Sequence, residues 1–359
     1  MNLMQGRHGG DVFKLPSEER ESFLDFSINI NPLGLSPKGK HALINGWERE
    51  TLRYPDLKYR ELQTALSDHY KIPMDMISVG NGASELMYAI LRALRPGTVY
   101  LPAPSFSEYR LSAMAVGAKI KEFLLLKEEN TFHIPLEVFE HLEPGSVIYL
   151  GNPNNPDGQL LKRKDFSAIL AAAEDSGSYV IIDESFIDFL GDEFSYRNEC
   201  NGHKNLIIVT SLTKFYAVPG LRIGCSFASK GITGKVQTQL VPWNVNGIAQ
   251  LYMCHALEDN DYIQRSRFYC SEERKRMAGL LSSISGISVF DGTVNFILCK
   301  LTGCISTAAS LQDKLYPFRI LIRQCGNYSG LDDTFFRIAV RTVEEDNTFV
   351  AALKEVFKT

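Results

Sequence analysis

The sequence has no large surplus of either charge, no long apolar run and no paired cysteine spacing, and each absence removes a class of function. Lysine plus arginine total 38 and aspartate plus glutamate 42, for a net charge of -4. Without a basic excess or a block of like charges, a polynucleotide is not the expected partner. An acidic small molecule would instead need a local cluster of cations. No apolar run approaches the roughly 18–20 residues of a membrane span, and the opening MNLMQGRHGG lacks the apolar core of a secretory signal. These readings point to a cytoplasmic protein with no membrane partner. The seven cysteines show no CxxC spacing, and an odd number cannot all pair within one chain, so most are expected to be reduced core residues. The seven histidines are dispersed, which leaves no metal site to expect.

What is present is length and alternation. At roughly 150 residues per domain, 359 residues suggest two domains with ample core. From about residue 60, helical spacing (Tyr59 to Tyr70, Ala83 to Leu94, Phe166 to Ala173) alternates with short apolar runs. Those runs are Thr98 to Leu101, Ser146 to Leu150, Tyr179 to Ile182 and Leu206 to Val209. Strands alternating with helices predict an α/β layer with a mostly parallel sheet flanked by helices, whose ligands gather at the strands' carboxyl ends. After about residue 250 the mix changes. A long polar helix is predicted from Tyr262 to Ser282, then strand-like Val294 to Cys299, Ile320 to Arg323 and Phe336 to Val340, and a closing helix from Val343 to Phe357. The expected division is an N-terminal arm over 1–44, a large domain over 45–250 and a smaller α+β domain over 251–359.

The chemically loaded residues fall at the predicted strand ends. Lys214 follows a buried-type strand, flanked by the hydroxyls of Ser211 and Thr213, with Arg222 eight residues on. A lysine at the edge of an α/β sheet can be desolvated, which lowers its pKa and suits Schiff-base chemistry. Taken alone, it reads equally well as a surface lysine in a turn. Upstream, Tyr179-Val180-Ile181-Ile182 runs into Asp183. A carboxylate there could hold a proton on a ring nitrogen and keep the ring an electron sink, or it could simply cap a helix. Gly80-Asn81-Gly82-Ala83-Ser84 precedes a helix, where small residues and free N–H groups suit a phosphate. Gly151-Asn152-Pro153-Asn154-Asn155-Pro156 places an amide at a strand's end, where it can donate to a phenolate-like oxygen.

In chain order these segments supply a phosphate cradle, an amide, an acid, an amine and a guanidinium. That set resembles the fold-type-I pyridoxal-phosphate enzymes of the class II aminotransferase group, over essentially the whole chain. The resemblance implies pyridoxal 5′-phosphate joined to Lys214, Asp183 at the pyridine nitrogen and Asn155 near the ring's phenolic oxygen. It further implies Ala83, Ser84, Ser211, Thr213 and Arg222 around the cofactor phosphate, and Phe106 stacked on the ring. Tyr54 would reach the partner subunit's phosphate, so a homodimer is implied.

Two branches of the group lie close, the histidinol-phosphate aminotransferases and the L-threonine-O-3-phosphate decarboxylases of cobalamin biosynthesis. The segments His8-Gly9-Gly10, 24–34 and 320–331 resemble the decarboxylases. So does Phe186, which stands where the aminotransferases usually carry a tyrosine. The implied substrate ligands are His8, Gly9, Asn29, Asn155, Arg323 and Arg337, and the implied activity is decarboxylation of a phosphorylated amino acid. L-serine O-phosphate differs from the threonine ester by one methyl, worth only about 1–3 kcal/mol in a pocket, so it stays open as a substrate. Transamination of histidinol phosphate and a cofactor-free binding module also stay open. One departure stands out. Asp157 occupies a position where the family usually has threonine, placing a negative charge in the turn that carries Asn155. A harmless placement would have it cap the turn and point to solvent.

Overall fold

The computed structural model describes residues 9–358. Val147–Gly151, Tyr179–Asp183 and Leu206–Ser211 are buried on both faces along nearly their whole length, as their unbroken apolar runs require. They form the centre of a seven-stranded sheet. Its order is Ile77–Gly80, Gly224–Ala228, Leu206–Ser211, Tyr179–Asp183, Val147–Gly151, Thr98–Ala103 and Lys119–Leu124. Five neighbouring strands pair in parallel, whereas Gly224–Ala228 runs antiparallel to both of its neighbours. Gly80, Ala103, Gly151, Asp183 and Ser211 therefore end on one edge, and the reversed strand brings Gly224 to that edge between Gly80 and Ser211.

Helix Gly82–Leu94 covers one face of the sheet through Leu86, Met87, Ala89, Ile90 and Leu91, an apolar stripe at helical spacing. A helix that periodicity did not single out, Pro37–Thr51, buries Gly39, Ala42, Gly46 and Glu50 while Ile44 and Trp47 stay exposed, so its buried face is not its large apolar one. Its start is fixed by Ser36, whose Oγ accepts from Gly39 N (3.2 Å) and donates to Asp259 (2.6 Å).

The C-terminal part builds a four-stranded antiparallel sheet in the order Ile287–Val289, Phe296–Leu301, Phe335–Ala339 and Arg323–Gln324. Helices Asn260–Ser282 and Val343–Lys358 pack on it through Met277, Leu281, Phe349 and Leu353. Residues 24–26 belong to this layer. Leu24–Asp25 pairs in parallel with Ile320–Leu321, and Phe26 stacks on Phe349 with centroids 4.6 Å apart. A few residues on, Asn31 crosses to the large sheet. Its N–H donates to Lys214 O (3.0 Å), and its amide donates to Phe215 O and to the hydroxyls of Tyr262 and Ser266. The arm thereby ties both layers to the backbone of the lysine-bearing turn, Leu212–Phe215.

Candidate active site

Strand Leu206–Ser211 passes into a single helical turn, Leu212–Phe215, and this places Lys214 just beyond the sheet edge. Its Nζ donates to Ser211 Oγ (3.2 Å), and Ser211 shares a hydrogen bond with Thr213 Oγ1 (2.8 Å). Desolvation in the cleft lowers the Lys214 pKa from 10.5 to about 8, against the opposing pull of Asp183, with Arg222 and Arg337 adding to the drop. A lysine so placed carries far more neutral amine near pH 7 than an exposed one.

Asp183 is buried at the end of the neighbouring strand, and burial raises its pKa. One oxygen accepts from Ser185 N (2.9 Å) and the other from the hydroxyl of Tyr109 (2.9 Å). The adjacent Glu184 turns the other way. It accepts from Asn152 Nδ2 (3.0 Å), Ser195 Oγ (2.5 Å) and Tyr196 N (2.8 Å), with the buried Arg197 guanidinium 4.0 Å away. That carboxylate fixes the start of the Asn-Pro turn and takes no part in the cleft.

At the start of helix Gly82–Leu94 the backbone is a cradle for an anion. Gly82 has φ +84°, and a Cβ there would lie 2.5 Å from Arg222 Nη2. A Cβ on Gly224 would lie 2.7 Å from Ala83 N. Only glycines let the helix start, Arg222 and the reversed strand converge, with Ala83 and Ser84 in the first helical turn. Glu85 closes the cradle on one side, accepting from Asn81 N and Asn244 Nδ2 (both 2.6 Å), while Tyr59 donates to Asn244 Oδ1. Tyr59, Glu85 and Asn244 had no signal in the sequence, because they meet only through packing.

Asn155 lies where the large sheet's turn meets the four-stranded sheet. Its Oδ1 accepts from Arg337 Nη1 and from the Tyr328 hydroxyl (3.4 Å). Two donors on the oxygen orient the amide so that its NH₂ is the free end. Arg323 and Arg337 face each other across an antiparallel pair, and both are buried. The Arg323 guanidinium sits over the Tyr328 ring (5.1 Å) and donates to Asn327 Oδ1 (2.8 Å). Arg337 donates to Ser27 O (3.3 Å) and lies over the Phe296 ring (5.1 Å), with no carboxylate in ion-pair reach among the described residues. Asn29 is buried with its Oδ1 lacking a partner among the described residues. Gly9 packs on Ser27, where a Cβ would lie 2.1 Å from Ser27 O.

Not every expected residue joins this cluster within one chain. Tyr54 is 80% exposed and leans on Trp243 (5.0 Å). Phe106 precedes helix Ser107–Ala115 and meets Tyr109 edge-on (5.9 Å). His8 lies outside the described residues. Arg341, which shares strand spacing with Arg337, goes elsewhere, to Asp25 O and Glu345. Asp157 does cap its turn, accepting from Gln159 N (2.9 Å) and Asn154 Nδ2 (2.8 Å), but it is buried and not turned to solvent. Burial raises its pKa to about 6.

With the cleft's desolvated lysine, strand-end acid and glycine-lined helix start described, the chain can be set beside known proteins. Residues 21–353 match the family described as Aminotransferase class I and II. The chain belongs to that family. It is 33% identical to the threonine-phosphate decarboxylase of Salmonella typhimurium, over 99% of this chain and 98% of that one. Among solved structures, the histidinol-phosphate aminotransferase of Clostridium acetobutylicum superposes with a TM-score of 0.86 at 34% identity, covering 93% of this chain and 99% of that one. The L-threonine-O-3-phosphate decarboxylase of Porphyromonas gingivalis gives 0.82 at 25% identity, covering 93% and 99%. In this family member the described residues contain no helix long and apolar enough to cross a membrane and no cluster of metal-ligating side chains. The sequence motifs missed Tyr109 and Tyr328. The only available signal was that a buried tyrosine hydroxyl must find a partner.

Proposed function

We propose that this chain is a pyridoxal 5′-phosphate-dependent decarboxylase of L-threonine O-3-phosphate, releasing CO₂ and (R)-1-amino-2-propanol O-2-phosphate for the linker of the cobamide nucleotide loop. The observation that carries the substrate assignment is the Arg323–Arg337 pair, two buried arginines in register across adjacent strands, of which Arg337 reaches Asn155 and acts on Lys214. A substrate with both a phosphate and a carboxylate matches two cations held this closely, and guanidinium forks suit both anions.

The residues fit the cofactor. The glycine cradle at Gly82 with Ala83, Ser84, Ser211, Thr213 and Arg222 would hold its phosphate, and Phe106 would cover its ring. When bound, pyridoxal phosphate supplies an electron sink conjugated to the substrate's α-carbon. Asp183 keeps a proton on the ring nitrogen. Asn155, its oxygen occupied by Arg337 and Tyr328, presents N–H to the phenolic oxygen. Phe186 is buried edge-on against Phe296 (5.0 Å) and offers no hydroxyl there, so Asn155 carries that role alone. Arg323 and Arg337, with Gly9 and Asn29 of the arm and with His8, which lies outside the described residues, would hold the substrate's phosphate and carboxylate and so orient the bonds at its α-carbon. Orientation selects which bond breaks. Lys214, desolvated and held largely as a neutral amine, would be the group that gives way to the substrate amine and that returns a proton to the α-carbon.

We assign the active unit to a homodimer. Ile44, Trp47, Leu52, Tyr54 and Trp243 are exposed large apolar side chains, with Tyr54 against Trp243, and burying them suits a second copy of the chain, whose cofactor phosphate Tyr54 would reach. The seven free cysteines suit a reducing, cytoplasmic setting. The division into arm, large domain and small domain at residues 44 and 250 completes this reading, with substrate held between the two sheets.

The second reading is transamination of histidinol phosphate, favoured by the 34% identity to the Clostridium acetobutylicum structure. Purified protein with the cofactor is offered L-threonine O-3-phosphate, L-serine O-phosphate or histidinol phosphate. CO₂ release from the threonine ester without added oxo-acid supports the proposal. Turnover of histidinol phosphate alone, dependent on a 2-oxo acid, refutes it.

A further inference from the structure

Tyr109 lies three residues after Phe106, on the first turn of helix Ser107–Ala115, and is 1% exposed. Its ring is sandwiched in a defined way. It stacks face to face on Tyr149 (centroids 4.7 Å apart, planes 1° apart), and Phe106 meets it edge-on (5.9 Å, 86°). Tyr149 is itself held by a hydrogen bond shared with Ser112 (3.4 Å). This packing fixes the direction of the Tyr109 hydroxyl, which donates to Asp183 Oδ2 at 2.9 Å. The other carboxylate oxygen already accepts from Ser185 N at 2.9 Å. Each oxygen retains a lone pair, so the carboxylate can still accept from a ring nitrogen.

We propose that Tyr109 is a positioning residue that sets how strongly Asp183 holds the proton on the cofactor's ring nitrogen. The inference rests on the cofactor reading above. A phenol donating to one carboxylate oxygen makes the other less basic, so the shared proton stays on the ring nitrogen and the ring stays electron-poor. Without that donor the carboxylate, desolvated by burial, becomes more basic and draws the proton to itself. Tyr109 cannot compete for that proton by ionising, because burial and the neighbouring Asp183 push its own pKa well upward. The charged and titratable groups facing this pair are Tyr149 and Tyr328 around Tyr109, and Lys214 beside Asp183. Arg222 and Arg337 act on Lys214 in turn. The Tyr109–Asp183 contact joins two strand ends through a helix, and it also couples the proton-holding acid to Phe106, the residue assigned above to cover the ring.

The test is Tyr109→Phe in the cofactor-loaded protein, with Tyr149→Phe as the packing control. The primary reading is the pH midpoint of the visible absorbance band of the bound cofactor. A less electron-poor ring makes the imine nitrogen joined to Lys214 more basic, so Tyr109→Phe moves the midpoint to higher pH while Tyr149→Phe leaves it in place. Turnover falls by about tenfold or more, the worth of one hydrogen bond to a charged group, while KM changes little because Tyr109 does not touch substrate. Incorporating 3-fluorotyrosine at 109, a stronger donor, moves the midpoint the opposite way and needs no cavity or lost contact. An unmoved midpoint in Tyr109→Phe, or an equal shift in Tyr149→Phe, overturns the inference and leaves the cofactor reading intact. A wild-type protein with no such band, or a band that persists in Lys214→Ala, overturns both.

Discussion

The amine of Lys214 titrates at about 8 where an ordinary lysine titrates at 10.5. That difference corresponds to at most about 3 kcal/mol favouring the neutral amine, and to roughly 300 times more of it near pH 7. The largest cause is desolvation, opposed by Asp183 and assisted by Arg222 and Arg337. Asp183→Asn removes the opposing charge, so the midpoint falls below its wild-type value. Arg222→Gln removes an assisting one, so the midpoint rises. The assay is the initial rate at which apoprotein acquires a visible band on mixing with pyridoxal, measured across pH. Pyridoxal lacks the phosphate, so loss of a phosphate ligand does not enter, and a lysine derivative run in parallel divides out pyridoxal's own titration. A wild-type midpoint near 10.5, or a rise in Asp183→Asn, refutes the reasoning. The same shift has a consequence for stability. A lysine with a depressed folded pKa costs stability at neutral pH and regains it as pH rises from about 8 toward 10.5. Lys214→Met apoprotein is therefore more thermostable than wild type at pH 7, and the gap closes in alkali.

Gly82→Ala puts a Cβ 2.5 Å from Arg222 Nη2 at φ +84°. The left-handed backbone alone costs about 1–2 kcal/mol, so cofactor retention on dilution should drop by roughly tenfold or more while far-ultraviolet dichroism is preserved. Arg337→Gln removes a charge-assisted contact to a substrate anion, worth about 1.5–3 kcal/mol, and raises the KM for L-threonine O-3-phosphate by roughly ten- to a hundredfold. The visible band, with Tyr328 still on Asn155, is retained. Asp157, raised to about 6 by burial, is favoured in its neutral form by the fold. Its contribution is present at low pH and is lost as pH rises through about 6, so wild type declines in melting temperature over that range relative to Asp157→Asn. Equal pH slopes for the two proteins would show that the side chain is solvated.

The order of chemical groups along the chain was readable because each signal is local. An apolar run of four to six residues makes a buried strand, the residue after it lies at the strand's end, and in a parallel sheet those ends share an edge. Lys214, Asp183 and the Asn-Pro turn were found this way. The helix Pro37–Thr51 escaped because the face it buries consists of Gly39, Ala42, Gly46 and Glu50, with no large apolar side chain to mark it. The antiparallel strand Gly224–Ala228 also escaped, since apolar pattern does not encode strand direction.

The tertiary structure alone decided which partners those groups meet. Tyr109 reaches Asp183 across 74 residues, and Arg337 reaches Asn155 across 182. Asp157 is harmlessly hydrogen-bonded in its turn yet buried, a combination that local turn chemistry does not distinguish from a solvated cap. Of two arginines with the same strand spacing, Arg337 points into the cleft while Arg341 pairs with Glu345, because the strand ends at Ala339. The inventory of reactive groups follows from the chemistry of short segments. Their basicity, orientation and pairing follow from desolvation and long-range packing, which no short segment contains.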